Sequence, residues 1–263
     1  MKETYRNYFG QRTAAERYAK GRPRFHQFVI GRIREFLALE KPLGLSLDVG
    51  CGTGLSSAAL KNISESVVGV DVSAEMLHQT PKTEAVEYVR ASAENLPFAD
   101  GKFDLITISQ AIHWVDKIKF FAEADRVLKA GALVVAYDNY FQGQMFGEPA
   151  FNDWYKTEFL GKYPVPPRGQ RAFSTTSENK RDFVLLHEEY NENTIEFSAK
   201  ELVDYLVTIT NVIALVENGA QPIEAVHEWL TKSVEQFFNE RGKKFAVINP
   251  IWFLRRNSGV YEY

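Results

Sequence analysis

The stretch LDVGCGTGLSSAAL, residues 47–60, sets three glycines at every second position directly behind a short apolar run. Glycine tolerates positive φ and lets another group come close to the main chain. Residues 45–49 read as a buried strand and 55–61 as the helix that follows, so the glycines occupy a strand-to-helix turn. Where a parallel strand feeds a helix, the helix start offers free N–H groups and a positive dipole end to an anionic ligand. A nucleotide-like ligand bound beyond the carboxyl end of the strand is the first expectation. Asp71 closes the second apolar run 21 residues after Gly50, where a carboxylate can accept both hydroxyls of a ribose.

Two ligand classes share this geometry, and the glycine spacing separates them. A dinucleotide fingerprint reads G-x-G-x-x-G, its third glycine serving close helix packing beside a pyrophosphate. Here the order is Gly50, Cys51, Gly52, Thr53, Gly54, with Leu55 where the dinucleotide pattern wants glycine. Asp48 also lies inside the strand end. A dinucleotide has no use for that carboxylate, whereas the ammonium of an amino-acid moiety does. A ligand combining ribose, adenine and a charged amino acid is S-adenosylmethionine.

Three further stretches follow in order: VVGVDVSAEML (67–77), ASAENLPFADGKFDLITISQAIHWV (91–115) and EADRVLKAGALVVAY (123–137). With the glycine turn they resemble the ordered motifs of class I S-adenosylmethionine-dependent methyltransferases, over roughly residues 44–138, about a third of the chain. The resemblance implies that Asp48, Gly50 and Gly52 line the methionine end of the cofactor, with Cys51 and Gly54 completing the turn. It implies that Asp71 holds the ribose, that Val72 and Met76 flank the adenine, and that Ala93 and Glu94 border its edge. Ser92 departs from the aspartate of many relatives. Ser109, Gln110 and Ala111 are expected near the methionine portion and the methyl group. The flanks AERYAKGRPRF and QAIHWVD are similar to the subgroup of trans-aconitate methyltransferases and related small-molecule enzymes, in which an N-terminal Tyr and an Arg-Pro lie over the cofactor. Here these are Tyr18, Arg22 and Pro23. Where relatives continue with Tyr-Pro, this chain has Phe25 and His26.

From about 45 to 138 short β-rich runs alternate with helical stretches, the signature of βαβ units and a parallel sheet. Strands are expected at 45–49, 66–71, 86–91, 103–109 and 132–137. Helices are expected at 55–61, at 74–79 behind Ser73 as N-cap, and at 116–129 with Gly131 as the stop. Residues 1–43 read as N-terminal cap helices broken at Gly21-Arg22-Pro23, and 139–185 as an insert or lid with a helix and a Pro-rich loop at 164–169. Residues 186–263 read as the C-terminal half of the sheet: a strand at YNENTIEFS, helices at 199–215 and around Val226, Leu230 and Val234, and a last strand FAVINPIWFLRR, with Pro250 at its start or at a bulge. The expected fold is one α/β domain, a Rossmann-like seven-stranded sheet with helices on both faces, the last strand antiparallel, and cap elements.

Composition bounds the alternatives. Hydrophobic residues make up 45% of the 263 and charged ones 25%, the soluble globular range. No apolar window reaches the roughly 20 residues of a membrane span, and the polar start lacks a signal-peptide core, so a cytoplasmic setting is expected. The single cysteine excludes an internal disulfide and a thiolate-rich metal site, and the five histidines show no zinc spacing. A net charge of −3 argues against nucleic-acid partners. Residues 1–41 nevertheless hold ten Lys or Arg against four Asp or Glu, which reads either as solvated helix faces or as a positive rim that attracts an anionic small substrate.

Methyl transfer from a sulfonium is an in-line displacement, so alignment and water exclusion carry most of the work, and positioning alone can contribute ~7–11 kcal/mol. A carboxylate acceptor needs no base. For an alcohol, amine or carbon acceptor His113 is the candidate base, since its ordinary pKa of ~6.5 suits it near neutrality. Tyr18, Arg22, Trp114 and Trp154 are the substrate-contact candidates, Trp114 by offering its ring face to a cation. The expected activity is methyl transfer from S-adenosylmethionine to a small, carboxylate-bearing molecule. Readings left open are a nicotinamide oxidoreductase, a non-catalytic cofactor-binding module and an RNA methyltransferase.

Overall fold

The computed structural model describes residues 9–165, 183–239 and 242–256. In chain order the elements are α1 (Arg12–Gly21), α2 (His26–Phe36), β1 (Leu43–Val49), α3 (Leu55–Leu60), β2 (Ser64–Asp71), α4 (Ala74–Leu77), β3 (Val86–Arg90), β4 (Phe103–Ser109), α5 (Lys117–Val127) and β5 (Leu128–Tyr137). There follow β6 (Tyr140–Met145), α6 (Pro149–Trp154), a π-helical turn (Tyr155–Phe159), α7 (Leu160–Lys162), β7 (Phe183–Phe197), α8 (Ala199–Leu206), α9 (Thr210–Glu217), α10 (Ile223–Glu235) and β8 (Lys243–Arg256). Residues 166–169 of the expected Pro-rich loop, and 166–182 of the expected insert, lie outside the described residues.

By contacts the chain divides into two compact units. The larger takes Phe25–Asp138, the described part of Arg168–Tyr190, and the described part of Asn249–Tyr263. Its strands run in the order β3-β2-β1-β4-β5-β8, parallel from β3 to β5, with residues 251–255 of β8 antiparallel to β5. Side chains alternate across a strand, and this alternation builds two apolar layers. Ile106, Ile108, Val134 and Ala136 face one layer, with Phe120, Phe121, Ala124 and Val127 of α5 packed against it. Leu105, Leu133, Val135 and Tyr137 face the other, covered by Val29, Ile30 and Ile33 of α2 and by Ala59 and Leu60 of α3. This is the expected Rossmann-like arrangement of helices on both faces of a sheet ending in an antiparallel strand.

The smaller unit takes the described part of Met1–Arg24, Asn139–Pro167 as far as residue 165, and the described part of Asn191–Ile248. There β6 pairs antiparallel with the first half of β8, α6 packs on β6, and α1 and α10 pack on α8. Its core is aromatic: Phe151 and Phe245 stand edge to face at 5.3 Å, and Trp154 stacks on Trp229 at 5.9 Å.

Two expectations are corrected by the structure and two are refined. The seven expected strands are joined, among the described residues, by β6, in which Phe141, Gly143 and Met145 turn away from solvent while Tyr140, Gln142 and Gln144 are more exposed. Gly131 does not cap α5: the helix ends at Val127, and Gly131 lies inside β5 at φ 78°, within the register shift between Phe103↔Leu128 and Leu105↔Leu133. A bulge, like a cap, uses glycine's left-handed freedom. The helix expected over 199–215 breaks after Leu206, where the β-branched run Val207, Thr208, Ile209 disfavours helix and Thr208 Oγ1 donates to the Tyr205 carbonyl at 2.6 Å. Finally, β8 runs through Pro250, which lies between the residues that pair β6 and those that pair β5; its carbonyl still accepts the Asp138 N–H at 3.1 Å.

Candidate functional site

At the end of β1 the three glycines all adopt positive φ: 67° at Gly50, 53° at Gly52 and 80° at Gly54, the last being the N-cap of α3. Each is also crowded from within the protein. A Cβ on Gly50 would stand 2.5 Å from that of Ala111, one on Gly52 3.1 Å from Met76 Cε, and one on Gly54 would overlap the Tyr88 phenol. The alternating glycines thus let the loop after β4, helix α4 and strand β3 close on a bare turn. The turn is held by Cys51 N–H to the Val70 carbonyl at 3.0 Å and Gly54 N–H to the Cys51 carbonyl at 2.9 Å.

Asp71 fastens the same turn from β2. Its Oδ2 accepts the Gly52 N–H at 2.9 Å and its Oδ1 the Ser73 N–H at 2.8 Å. Burial raises its pKa, and the amide hydrogen bonds oppose the rise. Cys51 is buried, and desolvation together with the charges of Asp48 and Asp71 keeps it a protonated thiol.

Asp48 is completely buried. Its Oδ2 accepts hydrogen bonds from Ser56 Oγ at 2.5 Å and Ser57 Oγ at 2.7 Å, and its Oδ1 from Thr107 Oγ1 at 3.0 Å. The carboxylate therefore ties the first turn of α3 and strand β4 to β1. Ser56, Ser57, Thr107 and Tyr88 were not singled out from the sequence; the two serines beside the glycines were the available signal. Desolvation pushes the Asp48 pKa up from 3.8 to about 6, against the three hydroxyls. The folded protein thus binds this proton more tightly than the unfolded chain. The contribution of Asp48 to stability is greatest below about pH 4, falls as pH rises to about 6, and the loss is on the order of 3 kcal/mol. Asp48→Asn is expected to abolish that slope. Urea unfolding at pH 4, 5, 6 and 7 should show the variant gaining on the wild type across this window, and a constant difference would contradict the protonation reading.

Along the rim, Val72 is 55% exposed and Met76 is buried. Ser73 caps α4 as expected, accepting the Met76 N–H at 3.2 Å. Ser92 Oγ donates to Glu94, and Glu94 Oε1 accepts the Asp116 N–H at 2.8 Å, so Glu94 clasps the start of α5; Ala93 beside it is buried. Ser109 closes β4, and Gln110 follows at φ 52°, its N–H bonded to the Tyr137 carbonyl at 2.9 Å. His113 and Trp114 are half-buried on the next turn with ring centroids 4.9 Å apart. His26 opens α2 with Nδ1 2.9 Å from Tyr137 Oη.

Three sequence candidates lie in the smaller unit. Tyr18 and Arg22 stand together, the guanidinium carbon 4.6 Å from the Tyr18 ring centroid. Trp154 is only 8% exposed and packs against Phe151, Phe159, Trp229 and Phe237. Among the described residues no group of three or more His, Cys, Asp or Glu is placed to hold a metal ion, and no helix is long and apolar enough to cross a membrane.

Comparison with known proteins matches residues 47–136 to the family described as "Methyltransferase domain". The chain is 31% identical over 176 residues to the ubiquinone/menaquinone biosynthesis C-methyltransferase of Geobacter sp. (strain M21), covering 63% of this chain and 68% of that protein. The chain belongs to the class I S-adenosylmethionine-dependent methyltransferase family. The chain is also 38% identical over 91 residues to the malonyl-[acyl-carrier protein] O-methyltransferase of Hamiltonella defensa subsp. Acyrthosiphon pisum (strain 5AT), covering 34% of this chain and 35% of that one. It thus spans about a third of that relative's length. A solved structure from Anaeromyxobacter dehalogenans, provisionally assigned as a type II methyltransferase, superposes with a TM-score of 0.68 at 23% identity over 89% of this chain and 97% of that one, a likeness of fold. The segment matched to the family ends inside β5, so the whole smaller unit lies outside it.

Proposed function

We propose that this protein transfers a methyl group from S-adenosylmethionine to a small, carboxylate-bearing acceptor, in the manner of the trans-aconitate methyltransferase-like subgroup. The observation that carries the cofactor side is the grip of Asp71 on Gly52: one carboxylate fixes a bare turn of positive-φ glycines at the carboxyl ends of β1 and β2. The surrounding residues fit the group. Thr53 Oγ1 is buried there without a hydrogen-bond partner, and Val72 offers an exposed apolar side chain beside Asp71.

In this reading the remaining lone pairs of Asp71 take the ribose hydroxyls, Val72 and Met76 sandwich the adenine, and Ala93 and Glu94 border it. The backbone of Gly50, Cys51, Gly52 and Gly54 receives the amino-acid end, and Ser109 and Gln110 lie beside the reacting methyl. Asp48 acts at one remove by fixing α3. Bound there, the cofactor supplies a methyl carbon on a sulfonium, a leaving group that departs as a neutral thioether. A carboxylate oxygen attacks in line without losing a proton, so His113 and Trp114 serve to shape the loop and exclude water; for a protonated acceptor His113 accepts the proton. The proposed partner is a small molecule, with no nucleic acid or membrane involved, and the proposed setting is the cytoplasm.

Titration calorimetry with S-adenosylhomocysteine tests the cofactor side and is expected to show one site. Incubation with isotope-labelled methyl donor and a panel of carboxylic acids, followed by mass spectrometry, tests the acceptor side. Calorimetry showing no binding of S-adenosylhomocysteine but tight binding of NADH would overturn the assignment.

A further inference from the structure

The floor beneath the start of α3 is a single row of residues, one from each of four neighbouring strands. Thr107 of β4, Asp48 of β1, Gly69 of β2 and Tyr88 of β3 are successive register partners, so their side chains stand on the same face of the sheet. One half of the row is polar: Asp48, itself bonded by Thr107, holds the first turn of α3 through Ser56 and Ser57. The other half works by shape. Gly69 is buried in the middle of its strand, where a glycine weakens the strand and marks a close approach. A Cβ there would stand 2.8 Å from Tyr88 Cδ1, 2.8 Å from Ser57 Oγ and 3.0 Å from Cys51 Sγ. The missing side chain lets ring, helix and thiol meet over one bare residue.

The Tyr88 ring crosses that gap toward the glycine turn. Its phenol end fills the space a Cβ on Gly54 would need, the nearest atoms to that position all belonging to Tyr88. Gly54 is where turn becomes helix. At φ 80° it is the N-cap of α3, its N–H closes the turn on the Cys51 carbonyl at 2.9 Å, and its carbonyl accepts the Ala58 N–H at 2.9 Å. The Tyr88 hydroxyl adds a bond to the same carbonyl, but at 3.5 Å. A hydrogen bond of that length is weak, so the flat ring and its reach, more than the hydroxyl, fix the place of Gly54. The turn is thus braced twice: by the Asp71 carboxylate at Gly52 and by the Tyr88 ring at Gly54.

We propose that Tyr88 is a positioning residue for the cofactor: laid across Gly69 and against Gly54, its ring holds the end of the glycine turn in the shape that receives the ligand. This rests on the methyltransferase reading and lies wholly within the larger unit. Tyr88 acts without touching the ligand. A turn ordered in advance loses no binding free energy to its own ordering, so removing the ring lowers affinity although every contacting group is still in the chain. Cys51, the single cysteine, is buried beside Gly69 and reports whether the turn is closed.

Two measurements on the full chain test this, both made well below the melting temperature: calorimetric affinity for S-adenosylhomocysteine, and the rate at which dithionitrobenzoate labels Cys51. Tyr88→Leu, which keeps apolar bulk but not the reach of the ring, is expected to weaken affinity by about tenfold or more. Its Cys51 should label about tenfold faster or more, because the turn opens more often. Tyr88→Phe keeps the ring and should stay within about twofold of wild type in both measurements, a rescue that loss of folding would not produce. A Tyr88→Leu protein with a lower melting temperature but wild-type affinity and labelling has lost only stability, and overturns the proposal. Equal losses of affinity in Tyr88→Phe and Tyr88→Leu also overturn it, since the hydroxyl would then be the working group. Wild type that binds no S-adenosylhomocysteine overturns the cofactor reading instead, while the labelling rates still report whether the ring braces the turn, so the two failures are distinguishable.

Discussion

Gly143→Ala is expected to lower stability by roughly 2–5 kcal/mol, the sum of a left-handed backbone penalty of ~1–2 kcal/mol and an overpacking cost of ~1–3 kcal/mol. Gly143 has φ 62°, and an added Cβ would lie 2.5 Å from Tyr155 Cγ and closer still to its neighbours in the ring. The ring has nowhere to withdraw: it stacks on Phe159 at 5.1 Å and meets Phe141 edge-on. At the scale of this chain the melting temperature should fall by on the order of 10 °C. A double-mutant cycle with Tyr155→Ala isolates the steric part, since removing the ring should return most of the overpacking cost while the backbone penalty stays. A melting temperature unchanged in Gly143→Ala would show that the π-turn does not seat Tyr155 on this strand.

The second large effect is expected at Asp71. Asp71→Ala removes the acceptor of two backbone N–H groups and, in the proposed site, of the ribose hydroxyls. Hydrogen bonds to a charged group contribute ~1.5–3 kcal/mol each, so the loss of S-adenosylhomocysteine affinity should be ~1–3 kcal/mol, about 5- to 150-fold. The geometry adds a contribution beyond direct contact, because Gly52 and Ser73 are released together and the turn loosens before any ligand arrives. Asp71→Asn distinguishes the two parts. It keeps one carbonyl acceptor for the turn while losing the charge, and it should fall between wild type and the alanine variant in calorimetric affinity. Wild-type affinity in both variants would remove Asp71 from the site.

Much of the larger unit was legible in the sequence because its signals are local. Strands buried on both faces read as short apolar runs, the glycines mark where the backbone must turn left-handed, and Ser73 announces a cap through a bond three residues away. The smaller unit was less legible. A strand carrying Gly143 at an inward position has a weak β signature, and Trp154 and Tyr155, adjacent in sequence, differ only in what tertiary packing sets against them. The notion that the glycine turn stays bare for a ligand alone also needed the fold: Ala111, Met76 and Tyr88 press on it from three separate segments.

By itself the sequence determined the parallel α/β core and the place of the glycine turn, since each depends on spacing along one chain segment. Only the tertiary structure decided which charges remain uncompensated. Arg17 and Arg22 look alike on the page, yet one meets Glu217 across the fold and the other meets two tyrosine rings and a carbonyl. An ion pair between residues 200 positions apart is settled by where α1, α8 and α9 lie against one another, and no local pattern encodes that distance.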